Sequence, residues 1–393
     1  MTETVILTGA RTPIGRFNGG LSDLRATALG GLAIAAVLDR AGLGGEQVDY
    51  VYMGQVVMAG AGQVPARQAA VAGGIPLRVP STALNKACPS GLNAIQQAHR
   101  LIALGEAEIV VAGGMESMTN APYLLPRARG GYGYGDATMP DALTHDGLFC
   151  SFESVLMGAS TEKAAAVAGI GREAMDHVSA QSHERAARAR KDGLLAEEIV
   201  PVEIPRRHGD PLVVADDEGI RVGTTAAALG ELRAAFADGG AITAGNASQL
   251  SDGGAAVVVT SRAMADHLGV EPLAEIVGYG EVAGPDTSLL TQPSRATQRA
   301  LERAGLQLGD LDLFEFNEAF AAVSIASMAD LGLPDDIVNV NGGAIALGHP
   351  IGMSGTRLAI TLAHELRRRG GGIGAAALCG GGGQGDAMLL RVR

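Results

Sequence analysis

The sequence predicts an α/β protein made of two similar halves, each holding a mostly parallel sheet covered by helices. One observation is an internal repeat, because residues 38–43 (LDRAGL) match residues 301–306 (LERAGL) at an offset of 263. A second is that residues 90–91 and 354–355 (both Ser-Gly) each open a helical pattern at an offset of 264. A third is the alternation of helical and strand patterns in both halves, which is typical of parallel sheets with helices on both faces.

The elements of the two halves follow one plan. In the first half, strand patterns and a helical pattern occur in this order: 4–8, 48–53, helix 91–104, and 108–114. In the second half, the corresponding patterns are 311–316, a helix from 355, and 374–380. An apolar run at 255–260 predicts one more buried strand that completes the first half.

The repeat also predicts the domain organisation. The first half comprises residues 1–120 with 251–272, and the second comprises residues 273–393. Between them lies an insertion, 121–250, which begins with a loop rich in Pro, Gly and Tyr and continues with amphipathic helical patterns at 154–167 and 172–191. We interpret the insertion as a lid or substrate-binding domain; a structural or assembly role is the alternative.

Composition excludes several classes of protein. A length of 393 residues with 47% hydrophobic and 18% charged residues suits two or more folded domains. A net charge of −12 argues against nucleic-acid binding. Three cysteines give no disulfide framework, no apolar run is long enough to cross a membrane, and the N-terminus does not resemble a signal peptide. We therefore predict a cytoplasmic protein.

Cys88 is the first candidate for chemistry. It precedes a proline and a predicted helix, and a thiol at a helix N-terminus is expected to have a lowered pKa. A buried structural cysteine is the alternative, and Cys150 is assigned to that class.

Two further segments carry reactive side chains. His349 lies in a loop of glycines and a proline, at the repeat position of Asn85, while Cys88 corresponds to Gly352. Cys379 ends an apolar strand and enters four glycines, whose N–H groups suit a developing oxyanion. The glycine run lacks the spacing of a dinucleotide site, and no Cys/His pairs show metal-ligand spacing, so neither a nicotinamide cofactor nor a metal is predicted.

These segments, together with residues 8–15 (TGARTPIG), 244–252 (AGNASQLSD) and 317–320 (NEAF), resemble the thiolase family over essentially the whole chain. Within it the chain is most similar to the bacterial acetyl-CoA acetyltransferases. The resemblance implies a duplicated thiolase fold, an arrangement as a homotetramer of two dimers, and a role in fatty-acid metabolism. It implies no cofactor, since coenzyme A thioesters are the substrates.

The resemblance also implies a reversible, two-step transfer between two acetyl-CoA and acetoacetyl-CoA. Cys88 would carry the acyl group, His349 would assist its deprotonation, and Cys379 would exchange the α-proton. His349 with a water held by Asn317 would form one oxyanion site. The backbone N–H groups of Cys88 and Gly381 would form the other.

Coenzyme A contacts are implied at seven positions, most of them in the insertion. By resemblance they are Leu148, Met157, Arg221, Phe236, Ala244, Ser248 and Phe320. For Arg221, an ordinary solvated side chain is an equal alternative.

One position departs from the biosynthetic pattern, because Leu156 stands where many biosynthetic thiolases have a histidine. The acyl pocket is therefore expected to be more apolar, and the chain-length range stays open. A broader 3-ketoacyl-CoA thiolase of β-oxidation is one alternative, and a non-catalytic acyl-CoA- or lipid-binding protein is a more distant one. A decarboxylating condensing enzyme is disfavoured because Cys379 is present.

Overall fold

A computed structural model describes residues 2–393. Its strands are β1 (Thr4–Arg11), β2 (Gly15–Arg16), β3 (Tyr50–Gly54), β4 (Ser81–Leu84), β5 (Ile109–Ser117), β6 (Phe149–Cys150), β7 (Val155–Leu156), β8 (Val202–Ile204), β9 (Leu212–Val214), β10 (Ser251–Ser261), β11 (Ala274–Ala283), β12 (Leu313–Phe316), β13 (Gly372–Gly380) and β14 (Gln384–Val392). Its α-helices are α1 (Ala26–Ala41), α2 (Pro65–Ala72), α3 (Ser90–Leu104), α4 (Met157–Val167), α5 (Arg172–Lys191), α6 (Ala226–Gly230), α7 (Arg262–Leu268), α8 (Gln292–Ala304), α9 (Ala321–Leu331), α10 (Ala344–Leu347) and α11 (Ser354–Arg368).

The predicted α/β class is confirmed, and each half is mostly parallel in strand direction. In the first half β1, β3, β4 and β5 run one way and only β10 is reversed. In the second half β11, β12 and β13 run one way and only β14 is reversed. Each reversed strand forms an antiparallel pair, as in a hairpin: β10 pairs with β5, and β14 pairs with β13.

The two halves share one continuous sheet, whereas the repeat alone predicted a sheet in each half. The main strand order is β12-β13-β14-β11-β1-β10-β5-β3-β4. The junction is short, because β1 and β11 pair only at Val5–Glu275 and Ile6–Ala274. This pairing satisfies backbone groups that would otherwise lie at two exposed sheet edges.

Helices α3 and α11 form the centre of the molecule. One continuous core cluster joins their apolar faces to strands of both halves, including Val110, Val257, Leu378 and Met388. Helices α1 and α2 cover the other face of the first half, and α8 covers that of the second. The two halves of the continuous sheet therefore form separate layers, and the order of layers is helix, first half of the sheet, helix, second half of the sheet, helix.

The two central helices touch through repeat-related glycines. A Cβ atom on Gly91 would lie 2.6 Å from Thr356 Oγ1, and one on Gly355 would lie 2.5 Å from the backbone nitrogen of Leu92. This close approach at the N-terminal turns of α3 and α11 brings the two preceding loops together. Those loops carry Cys88 and His349.

The insertion occupies the β5–β10 connection. Helix α5 matches the predicted 172–191, but α4 begins three residues later than the predicted 154. The reason is local: Ser154 has a φ of 56°, and residues 155–156 form β7, which pairs with β6. The equivalent β13–β14 connection is only the turn at residues 381–383. The proposed division at 1–120 with 251–272, 121–250 and 273–393 stays a prediction.

Candidate active site

Cys88 lies in the loop between β4 and α3, half-buried at the floor of a cavity. Burial raises the pKa of its thiol to about 11, and the nearby Glu116 carboxylate acts in the same direction. The backbone N–H groups of Cys88 and Gly381 near the thiol oppose this rise in pKa. The prediction of a lowered pKa at the helix N-terminus is therefore wrong for this structure, because desolvation outweighs the helix dipole.

His349 is buried in the loop between α10 and α11. Its Nδ1 lies 2.6 Å from Ser354 Oγ, while that hydroxyl donates its own proton to the carbonyl of Pro350 at 2.9 Å. Since Ser354 Oγ can then only accept, the hydrogen-bond network assigns the proton to Nδ1 and leaves Nε2 unprotonated, where it can accept from Asn317 Nδ2 at 3.3 Å. Burial, reinforced by the charge of Arg357, lowers the pKa of His349 to about 3. His349 is thus a neutral base.

Asn317 directly follows β12 and is completely buried. Its backbone N–H donates to the carbonyl of Ala377 at 3.0 Å, and its Nδ2 lies 3.3 Å from His349 Nε2. Its Oδ1 has no hydrogen-bond partner within residues 2–393. A buried amide oxygen in this position is suited to accept a hydrogen bond from water.

Cys379 occupies the penultimate position of β13 and is completely buried. Burial raises the pKa of its thiol, and the proximity of Cys88 raises it further. The structure therefore brings the two thiols close together, as the roles implied by the family resemblance require. Cys150 is also buried, as expected, and lies on β6.

An apolar cavity of about 250 Å³ opens above Cys88. It includes eight of the predicted site residues: Cys88, His349, Gly381, Leu148, Met157, Phe236, Ser248 and Phe320. Phe236 packs edge-to-face on Phe320, with ring centroids 6.3 Å apart. Leu156 also lines the cavity and is 40% exposed.

The remaining predicted residues do not line the cavity. Asn317 and Cys379 lie buried behind it, in contact with its catalytic groups. Arg221 and Ala244 are exposed on the insertion. The backbone N–H of Arg221 donates to His183 Nδ1 at 3.2 Å, which fixes the chain there. Contacts of Arg221 and Ala244 with coenzyme A stay predictions.

Two residues at the site were not singled out from the sequence. Ser354 was noted only as a marker of the repeat, although a hydroxyl five residues after a loop histidine is a usable signal. Glu116 is completely buried beside Cys88, and burial raises the pKa of its carboxyl group to about 7. An acidic residue inside the apolar pattern of β5 could have revealed it.

Within residues 2–393 no group of three or more His, Cys, Asp or Glu side chains is arranged to hold a metal ion. Over the same range no helix combines the length and the apolar character that a membrane crossing needs.

The fold and the site together define a class: a duplicated α/β enzyme with a cysteine–histidine–cysteine centre beneath an apolar cavity. Two family models match the chain, the thiolase N-terminal domain over residues 4–263 and the thiolase C-terminal domain over residues 270–392. The chain belongs to the thiolase family and is an enzyme of the thiolase type, an acyltransferase.

Individual relatives agree with this assignment over their full length. A probable acetyl-CoA acetyltransferase of Mycobacterium tuberculosis is 55% identical, with 100% of both chains covered. An acetyl-CoA acetyltransferase of Chromobacterium violaceum is 48% identical, with 99% of both covered. The crystal structure of the Bacillus anthracis acetyl-CoA acetyltransferase is similar with a TM-score of 0.97 at 37% identity, covering 100% of this chain and 99% of that one.

Proposed function

We propose that this protein is an acetyl-CoA C-acetyltransferase, which joins two acetyl-CoA into acetoacetyl-CoA and coenzyme A and also catalyses the reverse reaction. The observation that carries the proposal is that Cys88 lines the apolar cavity together with His349 and Gly381. The names of the similar proteins supply the substrate class. The site requires no cofactor for this chemistry.

In the first step, His349 Nε2 takes the proton of Cys88, and the resulting thiolate attacks the thioester carbonyl. The N–H groups of Cys88 and Gly381 stabilise the oxyanion of the tetrahedral intermediate. The bond between the acetyl carbon and the sulfur of coenzyme A breaks, and Cys379 gives its proton to the departing thiolate. The products are acetyl-Cys88, free coenzyme A and a deprotonated Cys379.

In the second step, the Cys379 thiolate removes an α-proton from a second acetyl-CoA. The enolate oxygen is held by the Nε2–H of His349, which still carries the proton of Cys88, and by a water on Asn317 Oδ1. The enolate carbon attacks acetyl-Cys88, a carbon–carbon bond forms, and the thioester bond to Cys88 breaks. His349 then returns the proton to Cys88, so both cysteines and the histidine end as they began.

The acyl adduct provides the decisive experiment. Wild-type protein incubated with acetyl-CoA is expected to gain one acetyl group by intact mass, and peptide mapping should place it on Cys88. Cys88→Ser should form no thioester adduct, while Cys150→Ser should behave as wild type because Cys150 lies outside the cavity. A wild-type protein without any adduct would instead fit the non-catalytic acyl-CoA-binding alternative.

A broader 3-ketoacyl-CoA thiolase is a second candidate, and Leu156 is the observation that favours it. Many biosynthetic thiolases have a histidine at this position. The apolar side chain of Leu156 instead lines the cavity together with Met157 and Leu148. The kcat/KM for thiolysis of acetoacetyl-CoA should be compared with that of 3-ketooctanoyl-CoA. A large advantage for the longer chain would replace the first proposal by this one.

We also propose a homotetramer of two dimers. The loop at the start of the insertion exposes several apolar side chains, which fits an assembly surface. They are Tyr123, Leu125, Tyr132, Tyr134 and Met139. Multi-angle light scattering should give a mass four times that of the chain.

A further inference from the structure

Glu116 forms an unusual set of contacts at the end of β5. Its Oε2 accepts hydrogen bonds from the backbone nitrogens of Val56 at 3.0 Å and Gly352 at 3.0 Å. Its Oε1 accepts from the backbone nitrogen of Val57 at 3.2 Å. One carboxylate thus holds backbone groups from both halves of the molecule.

Each of those backbone groups leads to a catalytic loop. Gly352 lies three residues after His349, between that residue and the start of α11. Val56 belongs to the first half and leads to the Cys88 loop. Its carbonyl accepts a hydrogen bond from Asn85 Nδ2 at 3.2 Å. Asn85 in turn accepts from the backbone nitrogen of Ala87, directly before Cys88, at 3.0 Å. A continuous path of hydrogen bonds therefore runs from the Cys88 loop through Glu116 to the His349 loop.

Among the residues that the structure describes, Glu116 is buried without a positively charged partner, which is energetically unfavourable. Its side chain is completely buried, and no Lys or Arg within residues 2–393 forms an ion pair with it. The negative charge of Asp252 also raises the pKa of Glu116, as burial does. By contrast, Glu315 in the second half is also buried but pairs with Arg357 at 3.0 Å. Burying a carboxylate without a cation is unfavourable unless hydrogen bonds replace its hydration, and the three backbone N–H groups supply this compensation.

We propose that Glu116 is a positioning residue that holds the Cys88 loop and the His349 loop at a fixed separation across the boundary between the halves. This inference rests on the proposed function, because the separation matters only if His349 takes the proton of Cys88. The geometry requires both carboxylate oxygens and the full length of the side chain. An amide in place of the carboxylate presents an NH₂ group to at least one backbone N–H, and aspartate is one methylene too short.

Two substitutions test the role. Glu116→Gln and Glu116→Asp are each expected to lower kcat by about ten- to a hundredfold, since a displacement of about 1 Å between reacting groups costs that much. The KM for acetyl-CoA should stay near the wild-type value, because Glu116 does not line the cavity. Amide hydrogen exchange should become faster in peptides that cover both 54–58 and 350–354.

Asp49→Asn is the matched control. Asp49 lies just before β3, at the opposite end of the sheet from the site, where its Oδ2 accepts backbone N–H groups of Glu108 at 2.8 Å and Ile109 at 3.0 Å. It therefore makes the same kind of contact to the first residue of β5, far from Cys88. This variant should keep the wild-type kcat and the wild-type exchange of both loops.

Several outcomes would overturn the proposal. A kcat within twofold of wild type in both Glu116 variants would do so, and so would faster exchange in only one of the two loops. If neither Glu116 variant folds while Asp49→Asn does, the role of Glu116 is structural only. If the wild type transfers no acyl group, the proposed function fails, but the exchange measurements still decide whether Glu116 joins the two loops.

Discussion

At the scale of single residues, burial determines the protonation of the site. Cys88, Cys379 and His349 are all shifted toward their neutral forms, and desolvation is the main cause in each case. In the proposed reaction, His349 therefore takes the proton of a neutral Cys88 thiol. Ser354 keeps Nε2 unprotonated for that step by accepting from Nδ1.

Ser354→Ala tests this assignment. Without the hydroxyl, Nδ1–H loses its acceptor and the ring loses its fixed orientation, so kcat should fall by about ten- to a hundredfold. The KM for acetyl-CoA should change little, since Ser354 lies behind the cavity. Ser179→Ala is the control, because Ser179 is also buried and bonds a helix carbonyl, that of Met175, at 2.7 Å. An equal loss of kcat in both variants would contradict a role in orienting His349.

At the scale of elements, the contact between α3 and α11 places the two catalytic loops. Alanine usually stabilises a helix relative to glycine. At Gly355, however, a Cβ would lie 2.5 Å from the backbone nitrogen of Leu92, which cannot move independently of α3. The helices would have to separate, and the loops that precede them would separate as well.

Gly355→Ala is therefore expected to destabilise the protein by about 1–3 kcal/mol, the usual effect of overpacking a core. Urea unfolding followed by circular dichroism measures the change, and the kcat of the folded fraction should also decrease. Gly230→Ala is the control, because a Cβ at the end of α6 meets no atom within 4 Å. Stability equal to or above that of wild type in Gly355→Ala would mean that the helices tolerate a wider separation.

The repeat is also the reason why much of the site could be predicted from the sequence. An offset of 264 predicted that Cys88 and His349 lie on equivalent loops, and in the structure both residues line one cavity. Other features depend on tertiary contacts that no local pattern records. The reversal of β10 and β14 depends on which strands pair, and the raised pKa of Cys88 depends on desolvation. The hydrogen bonds of Glu116 join residues 60 and 236 positions apart.

At the scale of the whole molecule, the proposed catalytic groups and the proposed coenzyme A contacts come from different parts of the chain. Cys88, His349 and Gly381 belong to the two halves, whereas Leu148, Met157, Phe236 and Ser248 belong to the insertion, and all line one cavity. The topology explains this division. The insertion connects β5 to β10 in the first half. Gly381 lies in the equivalent connection of the second half, the turn between β13 and β14. The two connections therefore leave equivalent ends of the two halves of the sheet.

The division predicts that substitutions in the insertion alter substrate binding rather than the chemical step. Phe236 packs against Phe320 and over Gly158, so Phe236→Ala removes a large part of the apolar wall without touching Cys88 or His349. Losing about 1.5–3 kcal/mol of apolar contact should raise the KM for acetyl-CoA by about ten- to a hundredfold. The kcat at saturating substrate should stay within a fewfold of wild type, as expected for uniform binding.

Val167→Ala is the control from the same insertion, because Val167 is 87% exposed and lies outside the cavity. Its KM should equal that of wild type. If Phe236→Ala instead lowered kcat and left KM unchanged, the insertion would contribute to the transition state. Binding and chemistry would then not be divided between the insertion and the duplicated halves.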